Sequence, residues 1–171
     1  IATVVKAVEA SKTAVYYERL ATVDLLANCY SRTAYNRDME SLTKEQLKGL
    51  AVVLFDLNFL KRINDNQGHA AGDQAIQLCS LCIRKVFERV GKVYRIGGDE
   101  FVAVIPRCNE AKLQQRIEVF RRLCAEQNKY LQFHFRVACG YSMYDPERDR
   151  KVEDVIHRAD EAMYASKMRL K

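Results

Sequence analysis

The feature that most constrains the fold is an uninterrupted apolar run, LAVVLF, at residues 50–55. Its length is that of a strand, and its lack of polar–apolar alternation predicts a strand that is buried on both faces. The run ends abruptly in Asp56. A carboxylate at that position is expected at the edge of the sheet, where ligands can reach it, although capping of the next helix is the alternative role for an isolated Asp.

The elements around this strand follow from periodicity and from the positions of the glycines. A helix without Gly or Pro is predicted for residues 1–22, and its thin apolar seam consists of Ile1, Val4, Val8 and Val15. In chain order, the other predicted elements are an irregular break at 24–32, a short helix at 33–47, helices at 59–66 and 70–90 separated by Gly68, strands at 92–96 and 101–105, a helix at 109–130, a strand at 131–141 and a helix at 152–168.

Beyond the first helix, the order is strand, helices, hairpin, helix, strand and helix. This order predicts an α+β fold with a βαββαβ core, in which a central, mainly antiparallel sheet has helices packed against it. A chain of 171 residues fits one domain with one hydrophobic core. We therefore predict a linker helix at residues 1–22 followed by a single domain at residues 23–171.

The composition is that of a soluble globular protein, with 49% apolar and 29% charged residues. No stretch approaches the ~20 apolar residues that a membrane helix needs, and no signal-peptide pattern opens the chain. Because the first residue is Ile1 rather than Met, we expect a piece of a longer cytoplasmic protein. Any membrane anchor or sensor would then belong to segments outside this sequence.

The net charge of +6 suits an anionic partner. A phosphate-bearing substrate, a nucleic acid and a merely basic surface would all produce such a charge. The basic residues are scattered, however, and no dense basic tract alternates with aromatic residues. The sequence therefore does not favour nucleic-acid binding.

Six cysteines are present, at positions 29, 79, 82, 108, 124 and 139. The spacing of Cys79 and Cys82 raises the possibility of a zinc or redox site. Both residues, however, fall on an apolar stripe of helical periodicity, and no second CxxC completes a tetrahedral set. Buried thiols in a reducing cytosol are the better interpretation.

Two groups of carboxylates point to a metal. Asp56 ends the first core strand, and Gly97-Gly98-Asp99-Glu100 forms the predicted hairpin turn. The glycines remove side-chain bulk where a backbone can approach a ligand, although an ordinary turn followed by solvated acids is the alternative. If the strands are neighbours, Asp56 and Asp99 face each other and repel unless a cation lies between them. Oxygen ligands favour Mg²⁺ or Mn²⁺, and the arrangement is typical of metal-assisted phosphoryl or nucleotidyl transfer.

The segments between and after these carboxylates resemble the GGDEF family of diguanylate cyclases. The matching motifs, in family order and spacing, are Asp56, Leu60-Lys61, Asn64-Asp65, Gly68-His69, Gly72-Asp73, the signature run Arg95 to Phe101, and the closing run Ala159 to Lys167. The resemblance extends from about Asp24 to the end of the chain. It implies the ferredoxin-like, palm-type core of nucleotidyl cyclases.

The resemblance also implies an activity, in which two GTP molecules become cyclic di-GMP and two pyrophosphates across a homodimer. Asp56 and Asp99 would hold two Mg²⁺ or Mn²⁺ ions per active site, with help from the Leu57 carbonyl and with Glu100 as a further ligand. Asp99 would also accept the proton of the attacking 3′-hydroxyl. The two-fold symmetry of the product is the physical reason to expect a two-fold dimer.

The remaining site residues implied by the resemblance bind the nucleotide. Asn64 and Asp73 would recognise guanine, since a carboxylate accepts hydrogen bonds from its N1–H and 2-amino groups. Lys61 and Lys167 would neutralise the β- and γ-phosphates. His69 would lie beside the nucleotide, although an isolated His at a helix start is more often structural. Gly97 and Gly98 would let the hairpin approach the substrate.

The chain also departs from the family pattern. Where relatives have DxLTGLxNR, residues 24–32 read DLLANCYSR, which puts the coupling between the first helix and the domain in question more than the chemistry. Asn58 replaces a second Asp, and Lys171 falls where an Arg often contacts phosphate. The alternative function is a catalytically silent GGDEF module that binds GTP or a partner and acts as a regulatory domain.

Overall fold

The structure is a computed structural model that describes residues 2–169, so the roles predicted for Ile1 and Lys171 lie outside the described residues. The helices and strands, in chain order, are α1 Ala2–Thr22, β1 Val23–Asp24, β2 Cys29–Tyr30, α2 Arg32–Glu40, α3 Lys44–Leu47, β3 Ala51–Leu57, α4 Leu60–Gln67, α5 His69–Phe87, β4 Lys92–Arg95, β5 Glu100–Ile105, α6 Glu110–Gln127, β6 Val137–Met143 and α7 Val152–Arg169.

The strands form one six-stranded sheet in the order β1-β2-β4-β5-β3-β6. The predicted buried strand, β3, pairs antiparallel with β5 on one side and with β6 on the other. All seven of its residues are buried. The sheet is antiparallel except where β2 runs parallel to β4. The predicted α+β architecture, with its mainly antiparallel sheet and flanking helices, is confirmed.

Alternate residues of β3 serve two separate cores, as expected for a strand that is buried on both faces. Val53 and Phe55 belong to the core beneath α5 and α6, where the ring of Phe55 lies 4.9 Å from that of Phe120. Val52 and Leu54 belong to the core on the opposite face, beneath α2 and α7. The sheet is therefore a middle layer, and the last residues of β3 lie between two layers of helices.

The boundaries of β3 and of the final strand differ from those predicted. Pairing carries β3 beyond Phe55 to Leu57, because Asp56 and Leu57 continue the ladder with β6. The last strand begins at Val137, not at residue 131. Asn128 explains the late start, since its side-chain amide bonds both the N–H and the carbonyl of Phe135 at 2.8 Å and holds the preceding segment as a loop.

Two predictions near the start of the domain were also too coarse. Residues 33–47 contain two helices rather than one, because Thr43 begins α3 with a capping box that it shares with Gln46. The break at residues 24–32 contains the short antiparallel pair β1 and β2, which adds two strands to the sheet. Strands of two residues lie below the length that periodicity can detect.

The first helix, α1, packs little against the domain. None of its residues is buried, and its exposed side chains include Val4, Val8, Val15, Tyr16, Tyr17 and Leu20. Within residues 2–169, no helix combines the length and the apolar character that crossing a bilayer requires.

The position of α7 depends on Gly140 in β6. A Cβ atom on Gly140 would lie 1.9 Å from the backbone nitrogen of Met163 in α7. This approach leaves no room for a side chain. It places the last turns of α7 directly against the sheet, next to the end of β3.

We predict that Gly140→Ala separates α7 from the sheet and lowers the free energy of unfolding by about 1–3 kcal/mol, as overpacked cores do. Urea denaturation followed by circular dichroism measures this. Gly98→Ala is the matched control, because a Cβ at Gly98 has no neighbour within 4 Å. Equal unfolding midpoints for the two variants would contradict the prediction.

Candidate active site

Asp56 is the buried carboxylate at the centre of the site. It lies inside β3, only 5% exposed, opposite Glu100 of β5 and Ala138 of β6. The prediction that it occupies an exposed sheet edge is therefore wrong, because Asp56 is paired on both sides, with Glu100 of β5 and with β6, which continues one residue past it to Val137. Its Oδ2 accepts a hydrogen bond of 2.8 Å from Nζ of Lys167 in α7. Its Oδ1 is buried and has no hydrogen-bond partner among residues 2–169.

The hairpin between β4 and β5 brings two further acids to Asp56. Glu100 is its direct cross-strand neighbour. The backbone N–H of Leu57 donates a hydrogen bond of 2.8 Å to the carbonyl of Asp99, which fixes the turn against the end of β3. The expectation that β3 and the hairpin lie side by side is thus confirmed. Glu100, rather than Asp99, stands directly opposite Asp56.

The charges of this cluster act on one another. Burial raises the pKa of the Glu100 carboxyl above its ordinary value, and the charges of Asp99 and Asp56 raise it further. The hydrogen bond from Lys167 to Asp56 raises the pKa of the Lys167 ammonium. The carboxylates therefore repel one another, and Lys167 is the cation that offsets part of this repulsion.

Arg95 holds the signature hairpin in place, a role that the motif alone did not reveal. Its guanidinium donates to the carbonyls of Gly97 at 3.1 Å and Gly98 at 2.8 Å. The same group forms an ion pair with Asp24 of β1 at 3.2 Å. The guanidinium has five donors in one plane, so it bonds the carbonyls of the turn and the carboxylate of Asp24 at the same time. Arg95 thereby connects the turn to the segment that follows α1.

The two glycines of the turn serve different purposes. A Cβ at Gly97 would lie 2.5 Å from an oxygen of Glu100, so the acid folds back over the space that this glycine leaves. A Cβ at Gly98 would meet no atom within 4 Å. Gly98 therefore borders open space, where a substrate can approach the backbone.

The predicted guanine-binding residues lie at the junction of α4 and α5. Gly68, with φ of 85°, turns the chain between the two helices. A Cβ at Gly72 would lie 1.8 Å from Oδ1 of Asn64, so the absence of a side chain there makes room for Asn64. Oδ1 of Asn64 is buried without a hydrogen-bond partner in the described part of the chain. Asp73 follows Gly72 and is exposed, so it is free to face a ligand beside Asn64.

Lys61 and His69 are exposed at the first turns of α4 and α5, respectively. Lys61 lies three residues before Asn64 on the same side of α4, as helical periodicity requires. Lys167, by contrast, already contacts Asp56. The structure thus brings Lys167 into direct contact with Asp56, whereas Lys61, His69 and Asp73 are exposed to solvent.

Phe59 is a further feature of the site that the sequence did not predict. It joins β3 to α4 with φ of 65° and ψ of 19°, a left-handed conformation that is uncommon for a bulky residue. The turn starts α4 immediately after β3. It thereby places the unpaired N–H groups of the first helical turn near Asp56. Helix N-termini of this kind bind phosphate.

The donor set fits a hard divalent cation that a substrate completes. Within residues 2–169, no group of three or more His, Cys, Asp or Glu side chains is arranged to hold a metal ion alone. Mg²⁺, however, is usually bound through one or two carboxylates together with water and substrate phosphates. The unpartnered Oδ1 of Asp56, beside Asp99 and Glu100, is the oxygen that such an ion would take.

Comparison with known proteins identifies the family. Residues 21–171 match the model of the family described as diguanylate cyclase, GGDEF domain. The chain belongs to the GGDEF family. Among curated relatives, it is 29% identical over 154 residues to the "Probable diguanylate cyclase DgcF" of Escherichia coli and 29% identical over 155 residues to the diguanylate cyclase DgcP of Pseudomonas aeruginosa. Each match covers 86% of this chain.

Solved structures agree on the fold. The coiled coil and GGDEF domain of DgcB from Caulobacter crescentus, in complex with c-di-GMP, superposes with a TM-score of 0.86 and covers 97% of this chain and 91% of its own, at 24% identity. The chain spans 49% of the length of DgcF and 22% of that of DgcP. Those relatives therefore contain segments that this GGDEF chain does not match.

We predict that Asp56 is required for metal-dependent nucleotide binding, independently of turnover. With Mg²⁺ and a non-hydrolysable GTP analogue at ~100 times its Kd, binding should stabilise the fold by about 2.7 kcal/mol and raise the thermal midpoint. Asp56→Asn should abolish most of that rise, whereas Glu126→Gln, an exposed carboxyl on α6, should keep it. An undiminished rise in Asp56→Asn would contradict the assignment.

Proposed function

We propose that this domain is an active diguanylate cyclase, which condenses two GTP molecules into cyclic di-GMP with release of two pyrophosphates. The observation that supports this most is the state of Asp56. It is buried, Lys167 holds one of its oxygens, and the other oxygen has no partner in the described chain. A fold that keeps such a carboxylate beside two others is suited to a cationic ligand.

In the proposed reaction, the 3′-hydroxyl of each GTP attacks the α-phosphorus of the other. At each α-phosphorus a new phosphorus–oxygen bond forms, the bond to the oxygen that bridges to the β-phosphate breaks, and one pyrophosphate leaves, so that two are released when the ring closes. Asp99 would accept the hydroxyl proton as general base. Two Mg²⁺ or Mn²⁺ ions, held by Asp56, Asp99, Glu100 and the Leu57 carbonyl, would neutralise charge at the α-phosphate and lower the pKa of the attacking hydroxyl.

Lysines and the start of α4 would hold the triphosphate. Lys167 pairs with Asp56 in the free protein, so a phosphate that approaches this lysine meets a cation already positioned at the site. Lys61 lies in the first turn of α4, where the N–H groups of Leu60, Lys61 and Arg62 precede the first intrahelical hydrogen bond. These donors and two ammonium groups together offset the charge of the β- and γ-phosphates.

Guanine would bind at the junction of α4 and α5. The Oδ1 of Asn64 is a buried acceptor that has no donor among the described residues, and Asp73 adds a carboxylate. Guanine offers the N1–H and 2-amino donors that such acceptors need. Adenine lacks this donor pair and would leave the buried Oδ1 of Asn64 unsatisfied, which a site of this kind penalises.

Catalysis would require two copies of the domain, because each GTP supplies one hydroxyl and one α-phosphate. The helix α1 is a candidate for holding the copies together. Its apolar side chains are exposed in one copy, including Val4, Val8 and Val15, which share one face of the helix. Pairing with a second α1 in a coiled coil would remove them from water.

We predict that Asp99→Asn lowers cyclic di-GMP formation by about 10²–10⁴-fold, the usual contribution of a positioned general base. Chromatography of products after incubation with GTP and Mg²⁺ measures this, and Glu126→Gln should retain the wild-type rate. If the unmodified dimeric protein forms no cyclic di-GMP but binds GTP, the silent regulatory module is the better description.

We predict that kcat/KM for GTP exceeds that for ATP by roughly 10⁴-fold, as in sites that read a base through buried hydrogen bonds. Asp73→Ala should narrow the ratio mainly by weakening the reaction with GTP. Comparable rates with both nucleotides in the unmodified protein would show that Asn64 and Asp73 do not read guanine.

We predict that removal of residues 1–20 lowers specific activity most strongly in dilute protein, since pairing through α1 then no longer favours the dimer. Activity measured over a range of protein concentrations, with the oligomeric state from sedimentation, checks this. A truncated protein whose specific activity equals that of the full chain at every concentration would exclude α1 from dimerisation.

A further inference from the structure

A second cleft, of about 420 Å³, lies between α4 and the segment that precedes β6. Arg62 and Phe59 line it on one side, and Phe133 and His134 on the other. With 3.6 residues per turn, Arg62 projects from the side of α4 roughly opposite to Asn64. The cleft is therefore separate from the proposed guanine site, although the two share a helix.

Hydrogen bonds hold the two walls of this cleft together at both ends. The backbone N–H of Asn58 donates to the carbonyl of Arg136 at 2.8 Å. At the other end, the side chain of Gln67 donates to the carbonyl of Gln132 at 3.0 Å. Asn128 fixes the loop behind them through its two bonds to Phe135. The cleft is thus formed before any ligand arrives, as most small-molecule sites are.

The lining combines positive charge with aromatic rings. Arg62 and Arg136 contribute guanidinium groups, and none of the described residues that line the cleft is acidic. Phe59 and Phe133 contribute the rings, and Phe59 is 40% exposed. Bulky apolar side chains exposed beside arginines are characteristic of sites for anions that also present a flat apolar surface.

We propose that this cleft binds a purine nucleotide, with its phosphates on the arginines and its base against the phenylalanine rings. Guanidinium groups bind phosphate through two parallel hydrogen bonds, and aromatic side chains stack on bases without regard to sequence. The volume lies within the roughly 300–1,000 Å³ of sites for small ligands. Among the described lining residues there is no carboxylate like that of Asp73, so the cleft lacks one of the two groups proposed to select guanine.

A nucleotide in this cleft would act on the proposed active site through α4. Phe59 and Arg62 flank Lys61 in sequence, and Phe59 sets the left-handed turn that starts the helix. A ligand that contacts both residues would therefore touch the same helical turn that carries Lys61.

The test uses calorimetry on the full chain with ATP in excess chelator, so that neither guanine recognition nor a divalent metal supports binding at the proposed active site. The probes are ATP, adenosine and inorganic triphosphate. We expect ATP to bind more tightly than either fragment, since it alone engages both rings and arginines. Arg62→Glu should weaken ATP binding roughly tenfold or more, because a contact pair becomes repulsive.

Matched variants decide the outcome. Arg122→Glu reverses an exposed arginine on α6 and should leave ATP affinity unchanged, whereas Phe133→Ala should weaken ATP and adenosine but not triphosphate. Loss of binding in Asp73→Ala with retention in Arg62→Glu would place the nucleotide at the proposed active site and overturn the proposal. An absence of ATP binding would also overturn the proposal. So would an oligoglutamate peptide that binds as tightly as ATP does. If Arg62→Glu does not fold, Arg62→Gln takes its place in the comparison, because it removes the charge but keeps a polar side chain at this exposed position.

Discussion

The whole arrangement depends on one constraint: a strand that is buried on both faces ends in a charge that is also buried. Asp56 lies between β5 and β6 and is covered by α7, so water cannot solvate it. Lys167 provides its counter-charge from the last turn of α7. That contact requires α7 to lie close to the sheet, which Gly140 permits by having no side chain where Met163 passes. The core, the helix position and the charge at the site are therefore aspects of one packing problem.

Long elements and strongly patterned motifs could be predicted from the sequence, because burial determines both. The LAVVLF run specified a central strand, and the apolar stripe of α5 specified thiols in the core, where Cys79 and Cys82 are indeed buried and free. The juxtaposition of the strand end and the signature hairpin was also predictable, since the βαββαβ order makes them neighbours. The burial of Asp56 was not. It depends on how far the ladder with β6 continues, and a charged residue gives no periodic signal for that.

Local backbone geometry and long-range polar contacts escaped prediction for a different reason. Nothing in the residue type of Phe59 indicates a positive φ, because the surrounding turn imposes a conformation that the residue itself disfavours. Arg95 belongs to the recognised signature run, yet its ion pair with Asp24 joins positions 71 residues apart. Such a pair becomes visible only after β1 and β4 have been assembled in one sheet. The sequence identifies these residues but does not predict which residues they contact.

Two of the departures in residues 24–32, at Asn28 and Ser31, are physically conservative. Asn28 stands where relatives have Gly and adopts φ of 51°, a left-handed conformation that Asn tolerates better than most residues.

Ser31 stands where relatives have Asn, and it both accepts the capping hydrogen bond of α2 and donates to the carbonyl of Ala21 at 2.6 Å. Arg32 then donates to the carbonyl of Ile96, one residue before the glycines of the hairpin. A continuous series of polar contacts thus runs from the end of α1 to the carboxylates. Ser31 bonds the end of α1, and both Arg32 and the Asp24–Arg95 pair reach the signature hairpin. The altered segment retains the physical means of coupling the helix to the site.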